Sequence, residues 1–148
     1  MAEAPMLDRS AIAERIPHAC PMVLLDRVID WDARSITCAT RSHLDPANPL
    51  REPAGLPVWA GIEYAAQATA VHASLARGDA APRLGFLASV RDARPHCERL
   101  DGIEGELQVR VRLVHDDPAG AIYDFELHSA TRPLLTGRAA VMFARGAP

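Results

Sequence analysis

Hydrophobic and polar positions alternate most cleanly in the second half of the chain. Leu107, Val109, Val111 and Leu113 alternate with Gln108, Arg110 and Arg112. That period of two predicts a strand with one buried and one solvated face. Asp116-Asp117-Pro118-Ala119-Gly120 is turn chemistry. Beyond it Tyr123, Phe125 and Leu127 alternate with Asp124, Glu126 and His128, predicting the returning strand. Residues 134–144 predict a last strand and residues 83–93 an earlier one. Upstream, residues 10–16 read as a short helix ended by Pro17, because proline disfavours helical geometry in the residue before it. Residues 22–30 and 35–41 read as two strands, joined through the polar Asp30-Trp31-Asp32-Ala33. Residues 45–57 hold four prolines and a glycine and predict a loop.

Between these halves runs one long apolar stretch, predicted as a helix to about Arg77. Pro57 suits its entry, where a missing N–H costs nothing, and Gly78 suits its C-terminal stop. Apolar residues on nearly every side predict burial on every side. Gly61, Ala65, Ala66, Ala68 and Ala73 would let a sheet approach closely. Hairpin-linked strands and a single central helix predict an α+β architecture, an antiparallel sheet wrapped around the helix. Such a sheet leaves an edge strand and a helix surface suited to dimer pairing.

A length of 148 residues suits one domain, residues 1–148. The net charge of −3 offers no global field for nucleic acid or anionic lipid. All 16 basic residues are Arg, so a Schiff-base or phosphate-loop lysine is excluded. Cys20, Cys38 and Cys97 are too few and scattered for a disulfide framework, which predicts a cytoplasmic setting. The first nine residues carry two acids and no apolar run, so no signal peptide is expected there. Glu63, Gln67 and His72 interrupt the apolar helix, which argues against a membrane span.

Two residues stand out chemically. Glu63 lies near the start of that helix, and burial favours the protonated form of a carboxyl group, as a general acid requires. Gln67, four residues on, shares its face and could orient it. A helix-start glutamate favoured by the macrodipole, or one paired with Arg, is the plainer account. His18 lies between Pro17 and Pro21, a stiff bend that can aim a side chain; the plainer account is a loop tie. His43 precedes the long loop and could reach a cleft. His18-Ala19-Cys20 and His96-Cys97 lack partner pairs, so no zinc site is expected. The absence of G-x-S-x-G and of a glycine-rich phosphate cradle removes serine-hydrolase and nucleotide readings.

The segment Ile16-Pro17-His18-Ala19-Cys20-Pro21-Met22-Val23-Leu24-Leu25-Asp26-Arg27-Val28 resembles the opening of bacterial β-hydroxyacyl-(acyl carrier protein) dehydratases. Pro57-Val58-Trp59-Ala60-Gly61-Ile62-Glu63-Tyr64-Ala65-Ala66-Gln67-Ala68 resembles their central "P-G-V-x-x-x-E-x-x-A-Q" helix. The run from Gly61 to Ala68, with Arg83-Leu84-Gly85-Phe86-Leu87, is most similar to the aryl-polyene-cluster branch of that family. The resemblance implies a hot-dog fold, a homodimer or higher oligomer, interface sites and no cofactor. It implies that Glu63 protonates the departing hydroxyl and that the Val58 backbone N–H polarises the thioester carbonyl. Trp59 and Phe86 would line an acyl tunnel between helix and sheet, with Gln67 beside the substrate. The family's loop histidine, 14 residues before the glutamate, falls here on Pro49. His18 is then the preferred base and His43 the second choice.

The leading reading is a dehydratase acting on 3-hydroxyacyl thioesters of acyl carrier protein or coenzyme A. A hot-dog thioesterase would instead use Glu63 to activate water or attack the thioester. A weakly catalytic acyl-binding subunit would pair with an active paralogous hot-dog chain, which the proline at position 49 favours.

Overall fold

The computed structural model describes residues 7–16, 22–78 and 85–143. Its regular elements are α1 (Arg9–Ala13), β1 (Arg27–Trp31), β2 (Ser35–Thr40), α2 (Gly61–Arg77), β3 (Gly85–Pro95), β4 (Leu107–Asp117), β5 (Gly120–His128) and β6 (Pro133–Phe143). All six strands form one sheet in the order β1-β2-β4-β5-β6-β3, every neighbouring pair antiparallel. The long helix separates β2 from β3 in sequence, and β3 lies at the far edge of the sheet from β1.

Alternation places the core. On β4, Leu107, Val109, Val111 and Leu113 are buried while Arg110 and Arg112 are exposed; on β5, Tyr123, Phe125 and Leu127 are buried while Asp124 and Glu126 are exposed. These buried rows face α2, which packs across β2, β4, β5 and β6. Close approach occurs at Gly61, where a Cβ atom would lie 2.8 Å from Leu127 and 2.9 Å from Leu135. Gly78 ends α2 in the left-handed conformation, φ 71°, which glycine adopts without steric cost.

Three expectations change. The predicted strand over 22–30 starts only at Arg27. Residues 23–25 are buried, but side chains rather than a partner strand satisfy much of their backbone, as described below. The helix entry from Val58 to Ala60 is a 3₁₀ turn, and α2 proper begins at Gly61. The helix is also not buried on every side. Trp59 is 48% exposed, and Ile62, Glu63, Ala66 and Ala70 are only half-buried. A single sheet covers one side of a helix, so this opposite stripe stays partly open within one chain.

Edge strand β3 is kinked. Its register with β6 shifts between Leu87 and Ser89 and again between Arg91 and Arg94, and Asp92 has φ 54°. Such bulges are a common feature of edges.

Candidate active site

Glu63 sits in the first turn of α2 and is half-buried. Gln67, one turn on, is wholly buried, and each end of its amide is engaged. Oε1 accepts the Leu24 N–H at 2.9 Å; Nε2 donates to Met22 C=O at 2.6 Å and lies 3.5 Å from Glu63 Oε1. The spacing of four residues puts both side chains on one face. The expectation places Gln67 beside the substrate; instead its amide is used within the chain, clamping the segment before β1 and lying beside Glu63.

A second polar chain holds the same segment from the other side. The Asn48 side-chain amide donates to Tyr64 Oη at 3.0 Å, and Tyr64 contacts Ser42 Oγ at 2.8 Å. With its oxygen accepting from Asn48, the Tyr64 hydrogen is directed to Ser42, whose hydroxyl donates to Leu24 C=O at 2.7 Å. Thr40 Oγ1 reaches that carbonyl at 2.5 Å. Burial pushes the Tyr64 phenol up, so it stays neutral and able to donate. Leu24 is thus fixed at both its N–H and its C=O, with all partners buried or nearly so. A buried network with every member satisfied gives rigidity. It ends at the segment that directly follows residues 17–21.

The predicted site residues separate. His18 lies in 17–21, outside the described residues. Val58 N–H donates to Glu98 C=O at 2.9 Å, so it is not the open donor expected. The Ala60 and Gly61 amides also have backbone acceptors, Pro57 C=O for Ala60 and the Val58 and Trp59 carbonyls for Gly61. That leaves Trp59 N–H as the candidate oxyanion donor at this helix start. Phe86 pairs across the sheet with exposed Met142, whereas its neighbour Leu87 pairs with buried Val141. Strand parity therefore turns Phe86, 58% exposed, away from the helix, so it lines no space between helix and sheet. His43 is wholly buried with Nε2 2.9 Å from Ile103 C=O, and burial lowers its pKa. It reaches no cleft.

At the other end of α2, His72 is buried. Its Nε2 lies 2.9 Å from Asp32 C=O, and Nδ1 lies 2.8 Å from Tyr123 Oη. A carbonyl can only accept, so Nε2 carries the proton and Nδ1 accepts from Tyr123. Burial lowers the pKa of His72 and raises that of Tyr123, and both stay neutral. No three His, Cys, Asp or Glu side chains among the described residues converge as metal ligands. No helix among them is long and apolar enough to cross a membrane.

An antiparallel sheet packed against one long helix is the hot-dog architecture. The model of the ApeP-like dehydratases matches residues 10–146, and the chain belongs to that family. The dehydratase heterocomplex ApeI:P from Xenorhabdus doucetiae is similar over 90% of this chain and 91% of that chain, at 27% identity and TM-score 0.81. A thioesterase variant from Pseudomonas aeruginosa shares the fold at 17% identity and TM-score 0.59, over 80% of each chain. A proposed thioesterase from Silicibacter shares it at 14% identity and TM-score 0.64, over 94% of this chain and 93% of that one. Comparison with curated proteins gives no match.

Proposed function

We propose that this dehydratase removes water from 3-hydroxyacyl thioesters, presented on acyl carrier protein or coenzyme A, and that it does so in the cytoplasm, paired with a second hot-dog chain. The observation that carries the reading is Glu63, half-buried at the start of α2 and flanked by a wholly buried, doubly anchored Gln67.

In the reaction a base takes the α-proton, the C2–C3 double bond forms, and the C3–O bond breaks as Glu63 protonates the departing hydroxyl. The thioester oxygen gains charge in between. Trp59 N–H at the positive end of α2 would meet that charge, a contribution typically worth roughly 3 kcal/mol. The residues involved need no cofactor for this chemistry. His18, outside the described residues, is the base this chain could provide.

Pro49 stands where the family resemblance places a histidine, and the similar Xenorhabdus assembly is a heterocomplex. Both support pairing with a paralogous subunit that supplies a histidine; a homodimer relying on His18 is the alternative. The purified chain, alone and co-expressed with a paralogous hot-dog chain, would be incubated with 3-hydroxyacyl thioesters and followed by mass spectrometry. Loss of one water is expected. Free thiol in its place would make the chain a thioesterase, and no product in either preparation would remove the assignment.

A further inference from the structure

A cavity of about 300 Å³ opens at the C-terminal end of α2. Arg77 on its wall lies 14 residues beyond Glu63, about 20 Å along the helix axis. The space exists because Ala33, Ala73, Ala76 and Ala121 stand where larger apolar side chains would fill it. Its size is at the lower end of the range for small-molecule pockets. On its wall the His72–Tyr123 pair presents groups already committed to one another, with the tautomer fixed.

Charge at the mouth is asymmetric. Among the described residues that line it, Arg34 and Arg77 contribute two guanidinium groups against one carboxylate, that of Asp116. The Arg77 guanidinium stacks over the Phe143 ring at 4.3 Å, and its Nη1 is buried without a hydrogen-bond partner. A buried donor attached to a cation and left unsatisfied is costly, more so than a neutral one. Stacking fixes the plane of the group, and a planar guanidinium on a cavity wall matches the planar geometry of a carboxylate.

We propose that this cavity binds a small aliphatic carboxylate, its head group on Arg77 and its hydrocarbon body against Ala73, Ala76, Ala121 and Leu113, separately from the site at Glu63. Asp116 disfavours a second negative charge, which selects a monoanion over phosphate.

Butanoate, hexanoate, inorganic phosphate and 1-hexanol would be titrated into the purified full chain, with binding read from amide shifts in 1H–15N spectra. Hexanoate should give saturable shifts around Ala73, Ala121 and Tyr123, with phosphate and 1-hexanol at least tenfold weaker. Arg77→Met should weaken hexanoate at least tenfold. Ala76→Leu, at an exposed position where added bulk does not strain the core, should do the same by occupying the mouth. Glu63→Gln should leave binding unchanged. Equal binding of 1-hexanol, undiminished binding by Arg77→Met, loss of binding in Glu63→Gln, or no saturable carboxylate shift would each overturn the proposal.

Discussion

Gln67 holds Leu24: its Oε1 accepts the Leu24 amide hydrogen at 2.9 Å, joining the central helix to a buried segment that no strand among the described residues pairs with at that point. Gln67→Leu keeps the bulk but leaves the buried Leu24 N–H and the part-buried Met22 C=O without these partners. Each unsatisfied group costs about 1–3 kcal/mol. Urea unfolding should show a loss in that range or above, and dehydration should fall as Glu63 loses its neighbour. A change below about 0.5 kcal/mol would mean that the clamp contributes nothing.

Glu63→Gln removes the transferable proton while keeping size and hydrogen-bonding capacity. Turnover should fall at least a hundredfold, on the scale typical of lost acid catalysis, with the unfolding midpoint little changed. Retained turnover would take Glu63 out of the reaction.

Two buried histidines give a sign to the pH dependence of stability. Burial lowers the pKa of both His43 and His72 below the ordinary 6.5. The unfolded chain then binds protons that the folded one refuses, so their contribution is complete above about 6.5 and is lost as pH falls below it. The urea midpoint should drop between pH 7 and pH 5, and His72→Gln should flatten that slope. A steeper slope in the variant would contradict a neutral His72.

Gly61→Ala tests the contact between helix and sheet. Alanine gains about 1 kcal/mol of helix propensity over glycine. Its methyl, however, meets the wholly buried Leu127 and Leu135 at under 3 Å, and overpacking costs about 1–3 kcal/mol. A net loss of stability is expected in calorimetry; a gain would show that the helix can lift away freely.

Cys38 is fully buried, and burial pushes its thiol up to about 12. In native protein at pH 8 it should react with Ellman's reagent only as fast as the chain unfolds, as peptide mapping of the modified cysteines would show.

Much of the fold was legible because burial on one sheet face writes a period of two directly into β4 and β5, and because Pro57 and Gly78 bracket the helix. The entry to β1 was not. Met22-Val23-Leu24-Leu25 is apolar enough for a strand, but its backbone partners are side chains of Gln67, Thr40 and Ser42, distant in sequence. Glu63 and Gln67 stood out as polar residues in an apolar helix. The chain through Asn48, Ser42 and Tyr64 did not, since ordinary loop and helix residues acquire that role only through contact. Phe86 points away from the helix, and apolar character says nothing about strand parity at an edge, where an exposed aromatic ring is tolerated.

The two kinks in β3 bear on how this chain finds company. A visiting strand can form an uninterrupted ladder only over the stretches between the offsets at Leu87/Ser89 and Arg91/Arg94. A visitor must therefore carry matching irregularities at matching intervals or forgo several backbone bonds. Selection between an identical and a related companion would then be a question of shape along one edge, decided by the backbone before any side chain is compared.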